Sequence, residues 1–249
     1  MTAPPDAGPL WVVVPAYNEA SRISDTLRAL AAQTDTNFTL LVVDNGSTDD
    51  TAALAEAFKD HAPVRVLIEP EKGVGCAVDT GFRYAIAHGA VHLARTDADC
   101  LPAPGWVAAA RRALTDGRGL ACGRIVARPD EHGPAGRAFF RLLVTVAAGF
   151  GRWRPAHRGA EFKAPYRMHA GNNMAITAEL YEACGGMPRR PSPTDRTFLN
   201  RVRRTSPAIV HSRRMVVANS TRRIRAYGVL GTARWYLDRG SGPRTADPR

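Results

Sequence analysis

Four short apolar segments, separated by helical patterns, dominate the first part of the chain. They occupy residues 10–14, 39–43, 64–68 and 91–94. Each is an almost continuous apolar run, as a strand buried on both faces requires. The stretches between them place apolar residues at helical spacing. This alternation predicts an α/β fold with a Rossmann-like, mostly parallel sheet flanked by helices.

Polar residues follow each of the four predicted strands. In open parallel sheets, ligands bind beyond the carboxyl ends of the strands. We therefore expect these polar residues to converge on one crevice. They are Tyr17, Glu19, Asp44, Ser47, Lys72, Gly73, Asp97 and Asp99.

Asp97 and Asp99 form the most informative of these clusters. If the strand extends through them, residues two apart project to the same side. The two carboxylates then offer hard oxygen ligands to Mg²⁺ or Mn²⁺, and the oxygens of a diphosphate and water can complete the coordination shell. The alternative is that both aspartates only begin a turn before Pro102, since aspartate is favoured in turns.

The chain beyond Asp99 shows weaker patterns. A helix over 102–114, begun by a proline, and a strand over 120–126 are predicted. A helix over 135–148 carries an apolar stripe, which we interpret as core, with a shallow membrane contact or an oligomer face as alternatives. The stripe consists of Phe139, Leu142, Leu143 and Val146.

An irregular segment and several short elements follow. Residues 150–165 mix glycine, proline and arginine without a period, which predicts a mobile loop able to close over a substrate. Short strands are predicted over 208–211 and 215–217. One helix is expected to begin near Asp195 and a last one to cover 227–237.

Four sequence segments carry a resemblance to a known family. They read VPAYNE at 14–19, VDNGSTDDT at 43–51, KGVG at 72–75 and TDAD at 96–99. In this order and at these intervals they resemble glycosyltransferase family 2. The resemblance extends over nearly the whole chain.

The resemblance implies a single domain with the GT-A fold over residues 9–238. Its nucleotide-binding half would cover about 9–126, and a C-terminal acceptor-side half about 127–238. The ends, 1–8 and 239–249, are expected to be disordered, because they lack apolar periodicity.

The implied activity is transfer of a sugar from a nucleotide-diphosphate sugar to an acceptor hydroxyl, with inversion and with help from Mn²⁺ or Mg²⁺. The resemblance places Pro15, Tyr17 and Glu19 around the nucleoside. Asp44 would accept a hydrogen bond from the base. Asp97 would lie near the ribose and the metal.

Asp99 would bind the metal that holds the diphosphate. Lys72 and Gly73 would lie beside that diphosphate, where the ammonium could offset negative charge on the leaving group. A solvated surface lysine is the alternative for Lys72. His211 is interpreted as a structural residue, with metal ligation as the alternative.

The resemblance also implies an acceptor side. Inversion requires a general base, which the family usually supplies as the aspartate of a Glu-Asp pair. Here Asp195 is retained as the expected base and Thr194 replaces the glutamate. An acidic residue in a first helical turn is also explained by the helix dipole alone. The expected acceptor-side contacts are Gly171, Asn172 and Asn173.

The charge is concentrated towards the end of the chain. Of the net +11, residues 189–249 contribute +12, from 15 arginines and three aspartates. Such a surface suits an anionic membrane or an acidic substrate. Arg222 and the basic and aromatic residues after it could rest on an anionic membrane. Nucleic acid is an unfavoured partner, because aromatic residues do not interleave with the arginines.

Other interpretations remain open from the sequence. A retaining sugar transferase would make Asp195 structural. A nucleotidyltransferase is less favoured, because Pro15 and Tyr17 stand where a glycine-rich phosphate loop would follow the first strand. A basic membrane- or nucleic-acid-associating module is the alternative from another class.

The cellular setting and assembly are expectations as well. Lacking an apolar run of membrane-spanning length and a signal-peptide pattern, the chain is expected to be cytoplasmic, with peripheral membrane contact left open. Its four cysteines are expected to be reduced. A homodimer is left open, and a single-addition transferase is favoured over a processive synthase.

Overall fold

The computed structural model describes residues 8–115, 118–153, 159–166, 171–189, 194–222 and 228, with the backbone alone over 147–153. The described residues form one sheet of eight strands. The strands are β1 (Leu10–Ala16), β2 (Thr39–Asp44), β3 (Val64–Ile68), β4 (His92–Thr96), β5 (Leu101–Pro102), β6 (Leu120–Ala127), β7 (Asn173–Thr177) and β8 (Ile209–Asn219). The helices are α1 (Ile23–Ala31), α2 (Thr51–Ala57), α3 (Val74–Ala87), α4 (Trp106–Leu114), α5 (Pro134–Trp153), α6 (Ala178–Ala183) and α7 (Thr194–Thr205), and a 3₁₀ turn, Phe58–Asp60, follows α2.

The strand order is β3-β2-β1-β4-β7-β6-β8-β5. The first four strands pair in parallel, as predicted. Strand β7 then pairs antiparallel with β4 and β6, β8 runs parallel to β6, and β5 closes the edge antiparallel to β8. Parallel pairs outnumber antiparallel ones, and the predicted α/β fold with a helix-flanked sheet is confirmed.

Side chains of β1 alternate between two apolar cores. Val12 and Val14 pack with α1, α2 and α4 on one face of the sheet. Trp11 and Val13 pack with α3, α6 and α7 on the other face. This double burial explains why the strand reads as a continuous apolar run.

The helix predicted to begin at a proline starts later. Pro102 lies in β5, where it pairs with Val217 of β8, and α4 begins at Trp106. Strand β5 is the last strand in the sheet order, and an edge strand tolerates a residue that lacks an N–H. The predicted short strands over 208–211 and 215–217 are likewise parts of one strand, β8.

Helix α5 differs from its prediction in length and in exposure. It continues to Trp153, so the predicted loop over 150–165 is wrong for its first residues. The core interpretation of its stripe is wrong as well, because Phe139, Leu142 and Val146 are 47%, 59% and 61% exposed. The helix packs on β6 with its other face.

Some predictions fall outside the described residues. They are the helix over 227–237, apart from residue 228, and nearly all of the two disordered ends. None of the helices that the structure describes is long and apolar enough to span a bilayer.

Candidate functional site

The loops after β1 and β2 are tied together at the carboxyl edge of the sheet. Ala16 and Asp44 are paired in the parallel register. Beyond them, the Asn18 N–H donates to Ser47 Oγ at 3.0 Å. Asn18 adopts a left-handed backbone (φ 52°), and its side-chain oxygen accepts from Thr48 N at 2.8 Å. The predicted convergence of these two loops is therefore observed.

Asp44 lies buried at the floor of this crevice. Its Oδ2 accepts from the N–H groups of Gly46 and Ser47, at 3.1 and 3.0 Å. Its Oδ1 is buried and accepts no hydrogen bond from any described residue. Buried acceptors are normally satisfied, so Oδ1 fits an N–H donor supplied by a ligand.

Asn45 stabilises the neighbouring loop. Its Nδ2 donates to the carbonyls of Glu69 and Glu71 at 2.9 and 2.7 Å. Its Oδ1 accepts from Gly73 N at 2.7 Å. An amide satisfies this combination of two acceptors and one donor, whereas a carboxylate cannot. Asn45 therefore joins the ends of β2 and β3.

Replacing Asn45 by aspartate is expected to lower the free energy of unfolding by about 3 kcal/mol, because a buried carboxylate would face two carbonyl oxygens. Urea denaturation measures the change. Asn37→Asp is the matched control, since that side chain is exposed. Equal small losses in both variants would contradict the assigned role.

Lys72 is held in the same loop. Its ammonium donates to the carbonyls of Asn45 and Gly46 at 3.1 and 2.6 Å and lies 4.1 Å from the centroid of the Tyr17 ring. Gly73 has a φ of 136°, which favours glycine. The lysine therefore has fixed partners, and it carries a positive charge to the rim of the crevice.

Asp97 and Asp99 lie in a turn and not in an extended strand. Strand β4 ends at Thr96, and Cys100 N donates to Asp97 O at 3.1 Å. An extended strand through both aspartates is therefore wrong, although their carboxylates are close enough to influence each other. Each carboxylate instead contacts a different arginine.

The first arginine, Arg95, lies inside β4 with its side chain only 2% exposed. Its Nε donates to Asp97 Oδ1 at 3.0 Å, and its Nη1 donates to Asp195 Oδ1, also at 3.0 Å. The side chains of these aspartates are 31% and 41% exposed. One buried guanidinium therefore fixes both the predicted metal site and the predicted base.

These charges shift one another's protonation. Burial raises the pKa of Asp97, as do the carboxylates of Asp99 and Asp195, while Arg95 opposes the rise. Burial would lower the pKa of Arg95, but its two carboxylate partners raise it overall. Arg95 is therefore a permanent positive charge.

Gly171 lies against the carboxylate of Asp195 and constrains its position. A Cβ built at Gly171 would lie 2.1 Å from Asp195 Oδ1. A larger residue at this position would displace the carboxylate. The predicted acceptor-side segment thus contacts the predicted base.

The two asparagines after Gly171 differ. Asn172 Nδ2 lies 3.3 Å from Cys100 Sγ, beside the aspartate turn, and its Oδ1 is buried without a partner among the described residues. Asn173 is fully buried: its Oδ1 accepts from Trp106 Nε1 at 2.8 Å, and its Nδ2 donates to the carbonyl of Arg124 at 2.9 Å. Asn173 therefore lies beneath the site and supports it.

The second arginine, Arg222, reaches the site from beyond β8. Its Nη1 donates to Glu19 Oε2 at 2.7 Å, and its Nη2 contacts Glu19 Oε1. Nη2 also lies 3.1 Å from Asp99 Oδ2. Glu19, predicted to shape the nucleoside pocket, therefore holds a cation next to Asp99.

The backbone before Arg222 is anchored by Glu131. The carboxylate accepts from Ser220 Oγ at 2.8 Å and from Thr221 N at 2.7 Å. Burial alone would raise the pKa of Glu131, but hydrogen bonds from these residues lower it. Glu131 thus holds the backbone next to Arg222, and Glu19 holds its guanidinium.

A third arginine, Arg189, anchors the chain that leads towards Asp195. It donates to Glu69 Oε2 and to Glu71 Oε2, both at 3.0 Å. Burial would raise the pKa of Glu69, yet hydrogen bonds from Thr80, the Glu71 backbone and Arg189 lower it. This network ties the end of β3 to the segment before α7.

The donor set allows a divalent cation but does not enclose one. Within the described part of the chain, three or more His, Cys, Asp or Glu residues do not cluster as a metal site. Two carboxylates with a ligand diphosphate and water suit Mg²⁺ or Mn²⁺. His211 pairs with Cys122 near the start of β8, away from the aspartate turn, which favours its structural interpretation.

Sequence analysis missed the arginines that organise these carboxylates. The one available signal was Arg95, a charged residue within the apolar run of β4. Arg222 and Arg189 were counted only as surface charge, because their partners are 203 and 120 residues away.

Comparison with known proteins identifies the family of the chain. The sequence profile of "Glycosyl transferase family 2" matches residues 11–174. The chain belongs to this family. The match contains Asp44, Asp97 and Asp99 and ends before Asp195 and Arg222.

Individual relatives resemble parts of the chain. Glycosyltransferase AglE from Haloferax volcanii is 39% identical over 100 residues, which cover 39% of this chain and 32% of the relative. Validoxylamine A glucosyltransferase from Streptomyces hygroscopicus subsp. jinggangensis is 34% identical over 102 residues, which cover 39% and 24%. The chain thus spans about a third or less of these relatives' lengths.

Solved structures share the fold over more of the chain. A mannosyltransferase from Pyrobaculum calidifontis, in complex with GDP-Man and Mn²⁺, has a TM-score of 0.64 at 23% identity and covers 98% of this chain and 68% of its own. TarS from S. aureus, in complex with UDP-GlcNAc, has a TM-score of 0.62 at 15% identity and covers 85% and 58%. These similarities establish the GT-A fold of this family 2 chain.

Proposed function

We propose that this family 2 chain is a glycosyltransferase that moves a sugar from a nucleotide-diphosphate sugar to an acceptor hydroxyl. The observation that carries the proposal is the buried acceptor Asp44 Oδ1, which has no hydrogen-bond donor among the described residues and lies at the same sheet edge as the Asp97–Asp99 turn. Family membership and the fold shared with GDP-Man- and UDP-GlcNAc-bound enzymes support the same reading.

Donor binding follows from the crevice. Asp44 Oδ1 accepts a hydrogen bond from an N–H of the base, and Tyr17 offers an apolar ring at the rim. Pro15 is buried within β1 and sets the direction in which the loop leaves the strand. Lys72 adds positive charge near Gly73, where the diphosphate is proposed to lie.

Asp99, with Asp97 beside it, is proposed to hold Mn²⁺ or Mg²⁺. When bound, such a cation neutralises charge on the diphosphate as the bond to the sugar breaks. Arg222 lies beside the same carboxylate and adds a second positive charge to this end of the site. The charges are preorganised, which is the arrangement that stabilises a leaving group efficiently.

Asp195 is proposed as the general base of an inverting reaction. It takes the proton of the acceptor hydroxyl while the acceptor oxygen bonds to the anomeric carbon. The bond from that carbon to the diphosphate breaks, and its electron pair leaves with the phosphate oxygen. Arg95 and Gly171 orient the carboxylate, and Asn172 lines the acceptor side. Cytoplasmic location and assembly state remain predictions.

The proposed base is tested with a panel of UDP-, GDP- and dTDP-sugars and the purified protein, with water as the acceptor hydroxyl, by following the release of nucleotide and free sugar. We expect Asp195→Asn to lower turnover by about 10²–10⁴-fold and to leave the KM for the donor nearly unchanged. Proton NMR of the released sugar, recorded before mutarotation, reports whether the configuration is inverted.

Asp60→Asn is the matched control, because Asp60 is exposed and follows α2. Unchanged turnover in Asp195→Asn, or a product that keeps the donor's configuration, would contradict the assignment of the base. Absence of release from every donor by the wild-type protein would contradict the function itself.

A further inference from the structure

A cavity lies on the face of the sheet that carries α3, α6 and α7. Its volume is about 370 Å³, and its walls come from α3, the turn after α6, the segment before α7 and α7 itself. Small-molecule sites usually measure about 300–1,000 Å³. The described lining contains three guanidiniums, those of Arg83, Arg189 and Arg201, and the carboxylate of Asp79. This lining suits an anion better than a cation.

The cavity is separate from the candidate site. Helix α3 begins at Val74, at the rim of the crevice, and Arg83 lies about 14 Å further along the helix axis, at about 1.5 Å per residue. On α7, successive residues are about 100° apart around the axis, so Thr197 and Arg201 lie about 160° and 120° from Asp195. The cavity therefore faces away from the proposed base.

The carboxylate in the lining already has its partners. Asp79 is buried, its Oδ1 accepts from the Tyr181 hydroxyl at 2.7 Å, and its Oδ2 accepts from Arg83 Nε at 2.9 Å. Arg189 Nη1 lies 3.5 Å from the same Oδ2, and this arginine also pairs with the two glutamates described above. Both oxygens of Asp79 are therefore engaged, and neither pairs with Arg201.

Two arginines from different helices meet at one turn of the cavity wall. Arg201 Nη1 donates to the carbonyls of Gly185 and Gly186 at 3.1 and 3.0 Å. Arg83 reaches the same turn from α3, because a Cβ built at Gly186 would lie 2.9 Å from Arg83 Nη2. Gly186 has a φ of 68°, which favours glycine. The turn thus holds both guanidiniums against one residue.

These two guanidiniums keep hydrogen-bond donors that no described residue uses. Arg201 donates through Nη1 alone and forms no ion pair with a described carboxylate. Arg83 is engaged through Nε alone, and its side chain is 59% exposed. Two like charges held at one turn repel each other. An anion between them would remove this repulsion and accept the remaining N–H groups, which match the oxygens of a phosphate or carboxylate.

We propose that this cavity binds a small oxyanion, through phosphate or carboxylate oxygens, between Arg83 and Arg201. The remaining N–H groups of the two guanidiniums donate to the bound oxygens. The anion joins α3 to α7 and so braces the helix that carries Asp195 on its other side. This site needs neither a nucleotide nor a divalent metal, and it is independent of the donor crevice.

The test is calorimetric titration of inorganic phosphate and of citrate into the full chain, in metal-free chloride buffer at constant ionic strength. We expect the wild-type protein to bind at least one of the two probes, and the tighter one distinguishes a phosphate site from a carboxylate site. Arg83→Gln and Arg201→Gln should each weaken this binding about tenfold or more, because each removes a hydrogen bond between charged groups. Circular dichroism and thermal unfolding check that each variant folds.

Two further variants serve as controls. Arg112→Gln removes the same charge from an exposed position on α4, which packs on the other face of the sheet. Lys72→Gln removes a charge at the crevice instead. Both should bind the probes as the wild-type protein does. Binding that Lys72→Gln abolishes and the cavity variants keep would place the anion in the crevice and overturn the proposal. Equal weakening in Arg112→Gln, or no binding of either probe, would overturn it as well.

Discussion

Replacing Arg95 by methionine is expected to lower sugar-transfer turnover by about a hundredfold or more, because a displacement of about 1 Å in a catalytic group has an effect of that size. Arg95 holds Asp97 and Asp195 at 3.0 Å each. Without it, two neighbouring carboxylates repel each other and lose their common donor. Steady-state kinetics with the identified donor measures the change.

The loss of stability should be smaller than for a fully buried ion pair. The carboxylates of Asp97 and Asp195 are partly exposed, so water can solvate them after the arginine is removed. We expect a decrease of about 1–2 kcal/mol, against about 3–5 kcal/mol for a pair cut off from water. Turnover should therefore fall although most of the protein stays folded.

Arg111→Met is the matched control. Arg111 is 1% exposed and donates to Asp35 at 2.9 Å, away from the candidate site. Its loss should reduce stability and leave turnover per folded molecule unchanged. Arg95→Lys keeps the charge but cannot bridge both carboxylates in the same way, so it should recover only part of the activity. Full activity in Arg95→Met would contradict the role of Arg95 in positioning Asp97 and Asp195.

Replacing Arg222 by glutamine is expected to tighten Mn²⁺ binding about tenfold when nucleotide is absent. Arg222 Nη2 lies 3.1 Å from Asp99 Oδ2, where its charge opposes a second cation. A tenfold change corresponds to about 1.4 kcal/mol, which is modest for two positive charges that contact the same carboxylate. Electron paramagnetic resonance of free Mn²⁺ gives the affinity directly.

Two further variants define this effect. Arg222→Lys keeps a cation near Asp99 and should bind Mn²⁺ much as the wild-type protein does. Arg28→Gln is the control, because the Arg28 side chain is exposed on α1 and pairs with Asp25. If Arg222→Gln binds Mn²⁺ no better than these two, Arg222 and the metal do not compete for Asp99.

Much of the fold could be predicted because the first half of the chain has simple periodicity. Strands β1 and β4 are buried on both faces, so their sequences read as apolar runs. The part of the chain after Asp99 was harder to predict, because β5 has two residues and α5 exposes its apolar face. An exposed and a buried stripe have the same helical period, and only the tertiary structure distinguishes them.

The candidate site was predictable in its carboxylates and not in their partners. Asp44, Asp97 and Asp99 each follow a strand, and strand order alone brings them to one edge. Asp195, one of the two partners of Arg95, is 100 residues away from it, and Glu19 is 203 residues away from Arg222. A local pattern does not reveal such pairs.

Calorimetric titration of UDP, GDP and dTDP, with and without Mn²⁺, tests the proposed donor site most directly. We expect one of them to bind in the presence of Mn²⁺, Asp99→Asn to abolish the Mn²⁺-dependent part, and Asp44→Asn to weaken binding at least about tenfold through the lost base contact. Asp60→Asn should bind as the wild-type protein does. Binding that neither site variant affects, or no binding of any of the three nucleotides, would contradict a nucleotide-sugar site at this edge of the sheet.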